Sequence, residues 1–171
     1  RLNVDGSLDP DFGNGGCLLV DAQPQADYER ITSIRVQPDG AILLAGWAYA
    51  QADGAAWSVL LRVLDDGSPD TGFGDGGRLS GESYSGARGL GTTSERVVVE
   101  LDGSNRILVA YALGGPVPSL AVSRLLANGA PDPDFGNGGT FAFLLAGRTT
   151  LPVDMAVLAD DRVLVGGLHL D

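Results

Sequence analysis

One eight-residue motif occurs three times in this chain of 171 residues, and it constrains the fold more than any other feature. The copies read DPDFGNGG at 9–16, DTGFGDGG at 70–77 and DPDFGNGG at 132–139. Their phenylalanines, Phe12, Phe73 and Phe135, lie 61 and then 62 residues apart. A fixed period of this length indicates one supersecondary unit that is repeated along the chain. We therefore expect a single repeat domain over 1–171, with repeats at about 1–61, 62–123 and 124–171.

Short apolar runs separated by turn residues fill the space between the motifs, a pattern typical of successive antiparallel strands. In the first repeat the runs predict four strands, at about 17–21, 31–37, 41–48 and 58–64. The segments Pro38-Asp39-Gly40 and Leu101-Asp102-Gly103 predict tight hairpins, because glycine accepts a positive φ. The near-continuous apolar runs at 42–46 and 107–111 indicate strands that are buried on both faces.

Four-stranded units that cover each other face to face are what the blades of a β-propeller require. We predict an all-β, β-propeller-like fold with three four-stranded antiparallel blades. Residues 1–6 correspond to 62–67 and 124–129, so we expect them to supply the strand missing from the last repeat. Since single-chain propellers have about four to eight blades, three blades predict part of a larger ring, formed by a homodimer or by further repeats of a longer chain. An open β-solenoid or a stacked β-sandwich is the alternative fold.

The segment Gly-x-x-Asp-x-x-Phe-Gly-x-Gly-Gly, followed by a strand and an Asp-Gly hairpin, resembles the bacterial delta-60 repeat. The resemblance covers essentially the whole chain. It implies a propeller-like fold in a family of unknown function that is often found in long exported proteins, and it implies no catalytic residues. We therefore expect a bacterial protein located outside the cell or in the cell envelope.

The charge of the chain restricts its partners. The formal net charge is −11, and the cations are eleven arginines with no lysine, so most of the surface would repel a nucleic acid. No apolar stretch approaches the roughly 20 residues of a membrane span, so we expect no membrane insertion. The single cysteine, Cys17, lies in the apolar run 17–20 and is expected to be a small buried residue.

The motif itself offers two interpretations. Its Asp-x-Asp-x-Gly-Asn spacing resembles calcium-binding loops, and the candidate ligands are Asp9, Asp11, Asn14, Asp132, Asp134 and Asn137. The second copy lacks the middle carboxylate, because Gly72 stands there. We therefore favour a structural role, with no cofactor needed and calcium as the alternative. In that role the first Asp accepts backbone N–H bonds, the phenylalanine fills the space between blades, and Arg1, Arg62 and Arg124 pair with the Asp eight residues later.

An aromatic insertion in the first repeat is the other candidate site. It places Trp47, Tyr49, Asp53 and Trp57 close together in the sequence, and flat rings beside an acid suit a carbohydrate or peptide ligand. Packing of the two tryptophans between blades is the alternative.

Catalysis has little support in the sequence. His169 is the only histidine, and no nucleophile elbow is present. We therefore predict a protein that is not an enzyme: an interaction scaffold or adhesin-like module with a protein or carbohydrate ligand. The alternatives are a calcium-dependent carbohydrate-binding module and, with less support, a hydrolase.

Overall fold

The computed structural model describes residues 1–52, 54–80, 89–90, 96–113, 119–143 and 149–170. These residues form strands and turns, and none of them belongs to a helix that could cross a membrane. The strands are β1 Tyr28–Val36, β2 Ile42–Tyr49, β3 Ala55–Val63, β4 Arg78–Ser80, β5 Gly89–Leu90, β6 Val98–Leu101, β7 Ile107–Leu113, β8 Ser119–Leu125, β9 Thr140–Phe143, β10 Thr149–Val157 and β11 Val163–Leu170.

The strands form three separate antiparallel sheets. The first has the order β1-β2-β3-β4, with β5 also paired to β3; the second has the order β6-β7-β8-β9; the third contains β10 and β11. The prediction of an all-β fold with antiparallel sheets is therefore confirmed for the described residues. Three complete four-stranded blades are not seen there, because the third sheet has two strands, and the sheets do not close into a ring.

The strands that follow the second and third motifs, β4 and β9, pair in a different sheet from the one predicted. β4 pairs with β3 and β9 pairs with β8, so this short strand is the outermost strand of the sheet that precedes the motif. The first predicted strand, 17–21, is wrong: Cys17 forms only an isolated bridge with Asn14. The partners of β4 are Val59, Leu60 and Leu61 of β3. Cys17 is exposed, contrary to the expectation of burial.

Residues 1–6 form mainly a turn. Leu2 makes an isolated bridge with Leu8, as Val63 does with Pro69 and Leu125 does with Pro131. Val63 and Leu125 are the last residues of β3 and β8, so only the first two residues of the chain occupy positions that are strand in the other repeats. That this segment completes the third sheet stays a prediction.

The apolar core lies between the sheets. One cluster joins Leu43 and Ala45 of the first sheet to Ile107 and Val109 of the second. A further cluster joins Leu108 and Ala110 of the second sheet to Met155, with Val163 and Val165, of the third. Because successive residues of a strand point to opposite faces, the second sheet is covered on both sides. The other face of the first sheet, with Leu44 and Ala48, packs against Leu18, Val20, Ala22 and Ala26.

The first strands of two sheets are also joined directly. The Thr32 hydroxyl donates to the Val97 carbonyl at 2.6 Å and accepts from the Val97 amide at 3.1 Å. The Val99 amide donates to Ser33 Oγ at 3.2 Å. The pairing of β1 with β2 shifts register between Ile31 and Ser33, and this β-bulge exposes the Thr32 side chain to its neighbour. Arg35 pairs with Glu100 further along the same two strands, with Nε 2.8 Å from Oε2.

Candidate functional site

Each motif folds with the arginine that precedes it into one compact structure, which we call a motif turn: residues 1–16, 62–77 and 124–139. In the first turn Arg1 Nε donates to Asp9 Oδ2 at 2.6 Å, and the Asp11 amide donates to Asp9 Oδ1 at 3.0 Å. The Arg1 guanidinium lies over the Phe12 ring, 5.0 Å from its centroid. The prediction that Asp9 accepts a backbone N–H bond and pairs with Arg1 is confirmed.

The same contacts recur in the other two turns. Arg62 Nε donates to Asp70 Oδ2 at 2.7 Å, and Arg124 Nε donates to Asp132 Oδ2 at 2.8 Å. The amide two residues after each aspartate, at Gly72 and Asp134, donates to its Oδ1 at 3.0 and 3.1 Å. The guanidinium-to-ring distances are 4.6 Å to Phe73 and 4.8 Å to Phe135. Gly72 in place of a carboxylate changes none of these contacts, which supports a structural role for the motif.

Consecutive motif turns also contact each other. The Gly13 amide donates to the Asp66 carbonyl at 2.8 Å, and the Gly74 amide donates to the Asn128 carbonyl at 3.3 Å. The Nη1 atoms of the arginines reach the following turn as well: Arg1 donates to the Asp65 carbonyl and Arg62 to the Ala127 carbonyl. The first and second turns thus each present N–H donors to the carbonyls of the following turn.

Glycines make this approach possible. Gly67 is buried with φ of 89°, and a Cβ atom there would lie 3.2 Å from Phe12 Cε2. Gly129 is buried with φ of 87°, and its Cβ atom would lie 3.0 Å from Phe73 Cε2. The phenylalanine of one turn is therefore covered by the glycine of the next, as expected for a residue that fills the space between sheets.

The electrostatics of the turns follow from these hydrogen bonds. The Arg1 guanidinium and the Asp11 amide hold the pKa of Asp9 below its usual value. The Asp134 amide and the Arg124 guanidinium lower the pKa of Asp132 in the same way. Both carboxylates are therefore stabilised as anions by groups of the protein itself.

The predicted calcium ligands do not fit a cation site well. Both oxygens of Asp9 and of Asp132 accept hydrogen bonds from an arginine and a backbone amide. Calcium needs six to eight oxygen ligands. Within the described ranges, no group of three or more His, Cys, Asp or Glu residues is placed to hold a metal ion. Asp11, Asn14, Asp134 and Asn137 are exposed.

The aromatic candidates are separated by the first sheet. Trp57 pairs with Ala48 and is 6% exposed in the cluster on one face. Trp47 and Tyr49 alternate with Ala48 along β2 and so point to the opposite face. Trp47 is half-buried, and its Nε1 atom is buried without a hydrogen-bond partner. Asp53 lies outside the described residues.

Tyr28 is a neighbour of Tyr49 that the sequence interpretation missed. The two rings are paired across β1 and β2 and stack with centroids 6.5 Å apart and an interplanar angle of 28°. Tyr28 is 53% exposed, and Gln51 Nε2 donates to its hydroxyl at 2.7 Å. The sequence carried no signal for this pair, because the strand register that joins positions 28 and 49 is set by the bulge in β1.

A cavity lies where the first strands of the three sheets come together. Its volume is about 310 Å³. It is lined by Arg30, Ile31 and Thr32 of the first sheet, by Arg96, Val97 and Val98 at the start of the second, and by Val153 of the third. Among the described residues that line the cavity, Arg30 and Arg96 carry positive charge. This arrangement can attract an anionic group.

Arg106 forms a cluster of ion pairs that joins the hairpin turns at Asp102 and Asp161 to the third motif turn. Arg106 Nε lies 2.6 Å from Asp102 Oδ2, and its Nη atoms lie 3.8 Å from Asp132 Oδ2 and 3.6 Å from Asp161 Oδ2. The hydrogen bond to Asp102 raises the pKa of Arg106. Asp161 Oδ1 also accepts from the Gly103 amide at 3.0 Å, so this cluster links the second sheet to the third.

Comparison with known proteins gives the class of the fold. Residues 37–73 match the family model described as domain of unknown function (DUF5122) beta-propeller. The matched segment contains β2 and β3 and ends at Phe73 of the second motif turn. Together with the stacked antiparallel sheets, this match supports a propeller-like repeat protein. No curated protein and no solved structure matches the chain.

Proposed function

We propose that this chain is a non-catalytic interaction scaffold of an exported bacterial protein, in which propeller-like sheets display a ligand-binding surface. The observation that carries this proposal is that the motif residues make contacts within the protein itself. In all three turns the arginine contacts the aspartate and the phenylalanine, and in the first two turns the arginine and the phenylalanine also contact the next turn. The most regular polar residues of the chain therefore hold the scaffold together.

The surface that we assign to the ligand is the cavity at the first strands. Arg30 and Arg96 there supply positive charge. A partner that presents carboxylate groups, such as an acidic oligosaccharide or an acidic peptide segment, fits this chemistry, because arginine binds carboxylates through two parallel N–H donors.

The test is binding of an acidic oligosaccharide, oligogalacturonate, measured by calorimetry against a neutral dextran oligomer of equal length. We expect binding of the acidic probe only, reduced at least tenfold by Arg30→Gln or Arg96→Gln. Arg162→Gln is the matched control, because Arg162 pairs with Asp160 in an exposed hairpin away from the cavity. Equal binding of both probes, or loss of binding in the control alone, would contradict the assignment.

One observation favours a second candidate, a carbohydrate-binding module. The stacked and exposed Tyr28 ring, held by Tyr49 and Gln51, is a flat surface of the kind on which sugar rings stack. We expect Tyr28→Ala to abolish retention on a neutral glycan if this candidate is correct. Retention that disappears with a calcium chelator would support the calcium-dependent form.

A further inference from the structure

We propose that Asn14 and Asn137 are sites of spontaneous deamidation, at which the folded protein converts its own amide side chains into carboxylates. Each of them is the sixth residue of its motif and is followed by a glycine, Gly15 or Gly138. The function proposed above does not use these side chains, so the inference goes beyond it and does not depend on it.

Deamidation at such a pair is a reaction of the backbone with the side chain. The glycine nitrogen attacks Cγ of the asparagine, a C–N bond forms, and the side-chain NH2 group leaves as ammonia with the proton of the backbone nitrogen. Water then opens the five-membered imide at one of its two carbonyls, so one water molecule is consumed for each ammonia released. The product is aspartate or isoaspartate. The reaction requires an asparagine side chain and a glycine amide that other groups do not hold.

The first motif turn meets both requirements. Asn14 and Gly15 are exposed, and a Cβ atom at Gly15 would meet nothing within 4 Å. Among the hydrogen bonds between described residues, none uses the Asn14 side chain or the Gly15 amide. Gly15 and Gly16 have φ of 62° and 93°, and positive φ at both central residues is characteristic of a type I′ turn. The Asn14 amide closes this turn by donating to the Cys17 carbonyl at 2.7 Å, so the side chain of Asn14 is not needed for it.

The other two copies show that this exposure belongs to the motif itself. In the third turn Asn137 and Gly138 are exposed, and the Asn137 amide donates to the Thr140 carbonyl at 2.7 Å. In the second turn, which has a motif turn on either side, Asp75 and Gly76 occupy the same positions and are exposed as well. The position therefore stays open where the turns stack.

The second copy also shows that a motif turn accepts the aspartate product. The Asp75 amide donates to the Arg78 carbonyl at 2.8 Å, which is the bond that Asn14 and Asn137 make in their own turns. Conversion of both asparagines to aspartate would change the formal net charge from −11 to −13. Isoaspartate is different, because its Cβ atom becomes part of the main chain and lengthens it by one atom. We expect isoaspartate to disrupt the bond that closes the turn.

A third Asn-Gly pair, at residues 128–129, provides an internal control. Asn128 is exposed, but Gly129 is buried against the Phe73 ring. The Gly129 amide donates to the Leu126 carbonyl at 2.9 Å, and Asn128 Oδ1 accepts from the Ala130 amide at 3.0 Å. Both reacting groups of this pair are held by the fold, so we expect the pair to be protected while the chain is folded.

The experiment is incubation of the folded chain in mildly alkaline buffer, followed by digestion and fragment-ion mass spectrometry, which assigns the added mass to each pair. We expect Asn14 and Asn137 to deamidate at least tenfold faster than Asn128. The same measurement in denaturing urea is the control, because the three pairs contain the same two residues and should react at similar rates once the fold is lost. Equal rates at the three pairs in the folded chain would overturn the proposal. Deamidation of Asn14 and Asn137 in urea alone would overturn it as well.

Two double variants test what the modification does to the turn. Asn14→Asp/Asn137→Asp installs the aspartate product, and we expect its urea midpoint to equal that of the wild type. Wild-type protein that has been incubated until isoaspartate accumulates should unfold at a lower urea concentration. Asn14→Gln/Asn137→Gln, incubated in the same way, is the matched control and should keep its midpoint, because glutamine would have to form a six-membered ring. Equal losses in the incubated wild type and the incubated glutamine variant would contradict the expected disruption of the turn.

Discussion

In the first two motif turns, the arginine that begins the turn contacts three different groups. In the second turn Arg62 donates to the Asp70 carboxylate, lies over the Phe73 ring and donates to the Ala127 carbonyl of the next turn. Its side chain is 12% exposed and that of Asp70 is 19% exposed. Hydrogen bonds between charged groups that are partly shielded from water contribute more to stability than exposed ion pairs do.

Asp70→Asn should therefore lower the free energy of unfolding by about 1–3 kcal/mol, because the guanidinium loses its charged acceptor. Urea denaturation measures this value. Asp160→Asn is the control: Asp160 pairs with Arg162 in an exposed hairpin, and its loss should change stability by less than about 0.5 kcal/mol. Equal stability of Asp70→Asn and the wild type would show that the pair does not hold the turn.

The lowered pKa values of the motif aspartates Asp9 and Asp132 predict how stability depends on pH. A carboxylate whose pKa is lower in the folded state stabilises the fold above the pKa of the unfolded chain, about 3.9, and this contribution is lost as the pH falls through the folded value. We expect the melting temperature to decrease as the pH is lowered below about 4–5. The double variant Asp9→Asn/Asp132→Asn should be less stable at pH 7 and should lose stability less steeply in acid. An unchanged acid profile in the double variant would contradict this assignment.

At the scale of strands and turns, the sequence predicted the meander strands of the first repeat to within a few residues. The hairpin glycines and the apolar runs are local signals, and they are sufficient for β1, β2 and β3. The pairing of the motif aspartates with arginines was also predictable, because Arg1, Arg62 and Arg124 recur at a fixed distance from them. The sheet to which β4 belongs could not be predicted, since pairing across a turn of about fifteen residues leaves no local pattern in the sequence.

The face of the sheet on which each aromatic side chain lies could not be predicted either. Trp47 and Trp57 are close in sequence, but their faces depend on the register of β2 with β3. A shift of one residue in that register would have placed both on one side. The contacts between the first strands of neighbouring sheets could not be predicted from the sequence either. Residues 32 and 97 come together only because the two sheets stack.

The Thr32 contact gives a prediction at this scale. Thr32→Val keeps the shape of the side chain and removes both hydrogen bonds to Val97. We expect the free energy of unfolding to fall by about 1 kcal/mol, since the lost bonds lie between strands of different sheets. Thr71→Val is the control, because Thr71 is exposed in the second motif turn. If the two variants lose equal amounts of stability in urea denaturation, Thr32 does not join the sheets.

At the scale of the whole molecule, two kinds of contact hold successive repeats together. Apolar clusters fill the space between the sheets, and stacked motif turns align the sheets at one edge. The apolar clusters are not directional, whereas the turn contacts fix the position of each repeat by hydrogen bonds of defined geometry. The stacking of the turns is therefore the central feature of this account.

Amide hydrogen exchange measured by NMR tests that stacking most directly. Gly13 and Gly74 are exposed turn residues, and their amides donate to the Asp66 and Asn128 carbonyls of the following turns. We predict that both amides exchange far more slowly than the Gly15 and Gly76 amides of the same turns, and that Asp70→Asn accelerates exchange at Gly74. If Gly13 and Gly74 exchange as fast as Gly15 and Gly76, the turns do not stack and the account is wrong.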